Sequence, residues 1–222
     1  MLRPRLAMTA DLVPLGVAVA DIGSDHAYLP VHLVRAGVCS RAIASDIGEG
    51  PLENARKTVL RAGLGQTIAL RLSDGFSRFA PTDADCWIMA GMGGTLMARL
   101  LDAAPWLCAP DTVIVAQPMR HAEELREWLI SHGFRIERES ACRDAGRAYL
   151  ALRAVYDGVV RAYPPGYVYY GELLRDPDPC AREILARELK LLEIIVNCQL
   201  STVHCKKGAY DDFRARYIQL FG

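Results

Sequence analysis

The stretch VAVADIGSDHAYLP, residues 17–30, joins an apolar run to a loop that carries more polar groups than a tight turn needs. The first residues have the composition of a buried strand, and Leu29 begins a run with helical spacing. Between them lie two acids, a glycine, a serine and a histidine. A strand that passes through such a loop into a helix predicts a β-α-β unit with a candidate binding site at the edge of a parallel sheet.

The same alternation of short apolar runs and amphipathic stretches continues to about residue 133. It predicts strands at residues 17–21, 42–46, 67–72, 84–90 and 112–117. It predicts helices at residues 29–36, 51–62, 95–104 and 122–132. Pro51 fits the first turn of its helix, and Gly37, Gly63 and Gly133 lie where three of the helices should end.

After Gly133 the pattern changes to two strands, FRIERESAC and RAYLALRAVY, joined by residues 143–146. This pair predicts an antiparallel hairpin at one side of the sheet. The fold class is therefore α/β, with a doubly wound, Rossmann-like sheet that is mostly parallel and ends in an antiparallel hairpin. The hairpin disfavours a dinucleotide-binding dehydrogenase, in which the sheet is parallel throughout.

The last quarter of the chain has a different pattern. Residues 161–179 are rich in Pro, Gly and Tyr, and residues 180–203 carry apolar side chains at three- and four-residue spacings. Lys206, Lys207 and Gly208 predict an interruption before a shorter return helix at residues 209–220. We therefore expect a Rossmann-like domain at residues 1–160 and a small helical hairpin at residues 161–222.

Composition limits the classes of function. The 222 residues include 26 Lys+Arg and 26 Asp+Glu, so the chain has no overall field to attract nucleic acid, and any such contact must use a local basic patch. The sequence has neither a membrane-spanning run nor a signal peptide, which predicts a cytoplasmic location. Its seven cysteines form no metal-binding pattern, so we expect free thiols and no metal.

Acids and glycines follow most of the predicted strands, at residues 21–26, 46, 74–75 and 91–94. The first loop has one glycine and two acids, which suits a cationic ligand without phosphate, and S-adenosylmethionine is such a ligand. Asp46 would accept the ribose hydroxyls and Asp74 the adenine amino group, while residues 91–94 would let the backbone approach the transferred methyl. The alternative for each acid is a helix cap or an ordinary turn.

The chain resembles the TrmK-type family of bacterial tRNA adenine-N1 methyltransferases, which act on position 22. The resemblance rests on ADIGSDHAYLP (20–30), GPLENA (50–55), LSDG (72–75), AGMGG (90–94), QP (117–118), LREWL (125–129) and GFRIERE (133–139). It implies a Rossmann-like methyltransferase domain, a C-terminal helical, coiled-coil-like domain, S-adenosylmethionine as cofactor and tRNA as partner.

The resemblance also implies roles for particular residues. Asp21, Gly23, Asp25 and His26 would line the methionine end of the cofactor. The full set of expected cofactor-binding residues is Asp21, Gly23, Ser24, Asp25, His26, Tyr28, Leu29, Asp46, Ile47, Asp74, Gly75, Gly91, Met92 and Gly93. Candidates for positioning the target base are Asp25, Gly91 and Met92. The expected substrate-binding residues are Arg5, Tyr28, Gln117, Arg120, Lys206 and Lys207.

Two other functions fit the same residues. A methyltransferase for a small molecule would use the same cofactor site without RNA, and a non-catalytic module would bind S-adenosylmethionine and transfer nothing. Adenine N1 has a free lone pair, so methylation needs no prior loss of a proton, and we expect His26 to orient the loop rather than act as a base. The helical hairpin could hold tRNA or form a dimer; its apolar seam fits both.

Overall fold

A seven-stranded sheet organises the chain, in the order β3-β2-β1-β4-β5-β7-β6. The computed structural model describes residues 2–197 and 203–222. Five strands are parallel, and the β6–β7 hairpin joins β5 in the antiparallel direction, as predicted. The strands are β1 Val19–Ile22, β2 Ala42–Asp46, β3 Ile68–Leu72, β4 Cys86–Met92, β5 Val113–Pro118, β6 Phe134–Asp144 and β7 Arg147–Tyr156.

The central strands are apolar because helices cover both faces of the sheet. Every residue of β1 and β5 is buried. Alternate residues of β4 enter different cores: Trp87 and Met89 pack on one face, and Cys86 and Ile88 on the other. Burial on both faces accounts for continuous apolar runs in place of a two-residue alternation.

The helices that cross over between the parallel strands agree with the prediction to within about two residues. They are α2 Tyr28–Arg35, α3 Glu49–Arg61, α4 Gly94–Asp102 and α5 Ala122–Ser131. The glycines predicted to end three of them, Gly37, Gly63 and Gly133, have left-handed φ angles of 71°, 72° and 79°. Such angles stop a helix at little cost when the residue has no side chain.

The sequence pattern did not predict helix α1, Pro4–Ala10. Pro4 is at its first position, where a missing N–H costs nothing. Arg5, in its first turn, forms an ion pair with Asp144 at the end of β6, with 3.5 Å between Nε and Oδ2. This short helix therefore lies across the carboxyl edge of the sheet.

The C-terminal segment packs against α5 and the hairpin. It contains α6 Tyr167–Tyr170, a 3-10 turn at Gly171–Arg175, α7 Pro179–Asn197 and α8 Val203–Phe221. The return helix is as long as α7, so the prediction of a shorter helix at residues 209–220 was wrong. Lys206, Lys207 and Gly208 lie inside α8 and do not interrupt it. The predicted extension of α7 to residue 203 includes residues 198–202, which are outside the described residues.

One buried ion pair attaches this segment to the sheet. Arg126 on α5 and Glu139 on β6 have side chains that are 2% and 0% exposed, and Arg126 Nε donates to Glu139 Oε1 at 2.8 Å. Arg126 also donates to the carbonyl of Val168, and Glu139 accepts the N–H of Leu173. The division into domains at residue 160 stays a prediction. Among the described residues, no helix is long and apolar enough to cross a membrane.

Candidate active site

A cleft of about 1260 Å³ opens at the carboxyl ends of β1 and β4. The chain leaves β1 towards β2 on one side, while β4 lies on the other, so the order of the strands reverses here. Ligands of doubly wound sheets bind at such a reversal. The cleft walls include these predicted site residues: Arg5, Asp21, Gly23, Ser24, Asp25, His26, Tyr28, Leu29 and Gly91.

The loop after β1 has a fixed backbone. The N–H groups of Gly23 and Ser24 donate to the carbonyl of Ser45 at 2.9 and 2.8 Å, which holds the loop against β2. Gly23, Asp25 and Ala27 have φ angles of 76°, 45° and 55°, and such angles are uncommon for the two residues that are not glycine. Hydrogen bonds therefore hold the loop in an uncommon backbone conformation, which is typical of a binding site.

Asp21 is the most unusual group in this loop. Its side chain faces the cleft from a residue that is 4% exposed, and Ser24 Oγ donates to its Oδ2 at 2.6 Å. Burial raises the pKa of this carboxyl from 3.8 to about 6; the hydrogen bond from Ser24 lowers the pKa, and the neighbouring charge of Asp46 raises it. The site thus holds a carboxylate that a cationic ligand would stabilise.

His26 and Tyr28 form an aromatic surface at the mouth of the cleft. Their rings are stacked, with centroids 5.1 Å apart and 14° between the planes. His26 Nε2 lies 3.4 Å from Asp25 Oδ2, and half of the Tyr28 residue is exposed. These contacts hold His26 in place and leave Tyr28 accessible to a ligand.

The predicted residues of the next two strands lie at the same edge of the sheet, outside the walls of the cleft. Asp46 Oδ1 accepts the N–H of Gly48 at 2.9 Å, and Oδ2 accepts the N–H of Asp25 at 3.4 Å. Ile47 is 68% exposed, a large exposure for an apolar residue beside a binding loop. Asp74 is exposed, and Gly75 is buried with a φ of 51°.

The glycine-rich loop after β4 is held by the loop after β5. A bulge interrupts β4 between Ala90 and Met92, and Gly91 at the bulge has a φ of 84°. The N–H of Met119 donates to the carbonyl of Met92, and that of Gly94 donates to the carbonyl of Arg120, both at 2.8 Å. A side chain on Gly94 would overlap the carbonyl of His121, so glycine lets the two loops touch.

The predicted substrate-binding residues lie in different places. Arg5 lies beside Gly91 and donates to Gln117 Oε1 at 3.3 Å. Gln117 is fully buried, so it holds Arg5 in position behind the wall of the cleft. Arg120 lines a second, smaller cavity. Lys206 and Lys207 lie near the start of α8, and neither lines either of these two cavities.

Sequence reasoning missed several residues of the cleft, namely Leu2, Leu6, His32, Arg35, Arg61 and Met119. Leu2 and Leu6 flank Pro4 at a four-residue spacing, which was the available signal for a short helix. His32, Arg35 and Arg61 are exposed residues on or beside amphipathic helices, where charge usually indicates only solvent contact.

Comparison with known proteins places these features in a family. The family model described as a methyltransferase domain matches residues 2–152. A Bacillus subtilis tRNA (adenine(22)-N(1))-methyltransferase is 36% identical over 165 residues, which cover 71% of this chain and 69% of that protein.

Solved structures agree over nearly the whole chain. The Bacillus subtilis m1A22 tRNA methyltransferase TrmK has a TM-score of 0.79 and 30% identity, with 99% of this chain and 97% of that chain covered. A Streptococcus pneumoniae protein, a candidate tRNA (m1A22) methyltransferase in complex with S-adenosyl-L-methionine, has a TM-score of 0.83 and 32% identity, with coverage of 98% and 100%. The chain therefore belongs to the tRNA (adenine(22)-N(1))-methyltransferase family.

Proposed function

We propose that this protein transfers a methyl group from S-adenosylmethionine to N1 of adenine 22 in tRNA. The observation that carries the proposal is the buried carboxyl of Asp21 at the reversal of strand order, in a family of methyltransferases with that substrate. Ser24 is the side chain that donates to this carboxyl among the described residues, and no cationic side chain pairs with it. A bound cation would supply the missing charge.

The residues present fit S-adenosylmethionine. Asp21 and Asp25 offer carboxylates to its cationic methionine end, and both oxygens of Asp46 keep lone pairs beyond the backbone N–H groups that they accept. The exposed side chain of Ile47 offers an apolar surface to the adenine ring, and Asp74 an acceptor to its amino group. When bound, the cofactor supplies an electrophilic methyl group on sulfur.

The protein's own contribution is to place the target adenine and to stabilise charge on it. Methylation of N1 makes the ring cationic, so an acceptor near N1 and N6 favours the transition state. Of the acceptors considered from sequence, Gln117 and Met92 do not line the cleft. Asp25 and the carbonyl of Gly91 remain, and Asp25 has a side chain that is 59% exposed at the cleft.

The test is transfer of labelled methyl from S-adenosylmethionine to unmodified tRNA, followed by nucleoside analysis. We expect 1-methyladenosine in tRNA with adenine at position 22 and no label in the same tRNA with guanine there. Label in both would mean a different target position. If S-adenosylmethionine binds but neither tRNA is labelled, a small-molecule acceptor or a non-catalytic module becomes the better interpretation.

A further inference from the structure

A second cavity, of about 420 Å³, lies next to the active-site cleft. Its walls come from the loop after β5, the turn of the β6–β7 hairpin and one side of α7. Met119 lines both cavities and is 43% exposed, so it forms part of the boundary between them. The volume lies within the range of ligand pockets, about 300–1,000 Å³.

The charges around this second cavity do not cancel. The walls contain three acids, and each has a partner: Glu123 has His121, Glu183 has Arg143, and Glu188 has Arg187. Two exposed arginines in the same walls, Arg120 and Arg147, have neither a hydrogen-bond acceptor nor a carboxylate partner among the described residues. The guanidinium groups of Arg120 and Arg147 are therefore available to a ligand in this cavity.

The backbone on either side of Arg120 and Arg147 is held by contacts with active-site residues. The carbonyl of Arg120 accepts the N–H of Gly94, which ends the glycine-rich loop. Arg147 follows the tight turn at Ala145 and Gly146, whose φ angles are 46° and 80°, and Asp144 before that turn pairs with Arg5 in the cleft. Both arginines are thus connected, through short loops, to residues beside the expected position of the target base.

We infer that the second cavity binds the phosphate backbone of the nucleotide next to the target adenine, with Arg120 and Arg147 as its phosphate contacts. The inference rests on the proposed function. An adenine in folded RNA must leave its stack to reach a deep cleft, so the backbone on either side of it has to be held in a distorted conformation. Two unpaired arginines beyond Met119 would hold the displaced strand, while Tyr149 in the same wall offers a ring to its base.

The experiment measures the affinity of full-length protein for unmodified tRNA at several salt concentrations. Each arginine that neutralises a phosphate of a single strand contributes about 0.7 to the slope of log K against log salt. We expect the R120Q/R147Q variant to lower the slope by about 1.4 and to weaken binding about tenfold at moderate salt. The R120K/R147K variant should keep the wild-type slope, since lysine retains the charge.

Arg99 provides the matched control, because it is exposed on α4, has no partner among the described residues and lines neither cavity. R99Q should leave the slope and the affinity unchanged, and all three variants should bind S-adenosylmethionine like the wild type. An R120Q/R147Q slope equal to that of wild type, in protein that still makes 1-methyladenosine at position 22, would overturn this inference alone. Wild-type protein that labels no tRNA would instead overturn the proposed function.

Discussion

The proposed role of Asp21 in holding the cofactor predicts that cofactor binding depends on pH. Its pKa of about 6 means that it changes from mostly neutral to mostly ionised between pH 5 and pH 7. Because only the carboxylate attracts a cation, we expect the affinity for S-adenosylmethionine to rise about tenfold over that interval. Titration calorimetry at several pH values measures this, and D21N should bind more weakly and without the pH dependence.

The same carboxyl affects stability in the opposite direction. Its folded-state pKa lies above the ordinary value of 3.8, so its contribution to the free energy of unfolding is fully present below pH 3.8 and is lost as pH rises through about 6. A cation bound beside the ionised carboxyl would offset this loss of stability. The increase in melting temperature that S-adenosylmethionine produces should therefore be larger at pH 7 than at pH 5, and an equal increase would contradict this role for Asp21.

Gly94 and Gly93 give a matched pair of substitutions in the glycine-rich loop. A methyl group on Gly94 would overlap the backbone carbonyl of His121, whereas one on Gly93 would come no closer than 3.8 Å to the side chain of Arg120. We expect G94A to lower the free energy of unfolding by about 1–3 kcal/mol and G93A to leave it nearly unchanged. Urea denaturation compares them; equal stabilities would show that the two loops separate without cost.

Among the elements, the contact that holds α6 and the following 3-10 turn against the sheet depends on Arg126 and Glu139. Removal of Arg126 leaves a buried carboxylate without a partner, so R126M should cost about 3–5 kcal/mol of unfolding free energy. The double variant R126M/E139L removes both charges and should recover part of that loss. If the double variant is less stable than R126M, the carboxylate is not the source of the cost.

Helix α8 allows the corrected helix bounds to be tested. Gly208 lies inside α8, its φ is not left-handed, and a methyl group on it would meet no atom within 4 Å. G208A should therefore stabilise the protein by about 0.5–1 kcal/mol. If Gly208 instead separated two helices in a left-handed conformation, G208A would destabilise the protein. Thermal denaturation of this variant therefore distinguishes a continuous α8 from the predicted break at residues 206–208. G171A, at a φ of 55° against Glu139, should be destabilising.

Sequence patterns predicted elements best where burial alone determined them. β2 has its predicted bounds because strand and burial coincide there. α1 has seven residues, so a single four-residue spacing of Leu2 and Leu6 is its only helical signal in the sequence. In α8, tertiary contacts outweigh the low helix propensity of Gly208. The first cleft was predictable because parallel strands bring their ends together. The second cavity was not, since residues 118–123, 146–150 and 183–188 meet only through tertiary packing.

At the scale of the whole molecule, one of the two cores joins the sheet to the C-terminal helices. Trp87 of β4 and Phe134 of β6 belong to the same buried cluster as Leu173, Leu185 of α7 and Phe213 of α8. The predicted boundary at residue 160 therefore separates two stretches of sequence that share one core. Shared burial of this kind couples unfolding of the parts, because neither can open without exposing apolar surface on the other.

We therefore expect one cooperative unfolding transition. Trp87, Trp106 and Trp128 all precede residue 160, so tryptophan fluorescence reports on the sheet, while far-ultraviolet circular dichroism also detects α7 and α8. In urea the two signals should change at the same midpoint and with the same slope. Loss of helical signal at lower urea, with fluorescence unchanged, would mean that residues 161–222 unfold independently. In that case the helical hairpin would be a separate domain in the thermodynamic sense, and it could be removed without disturbing the cofactor site.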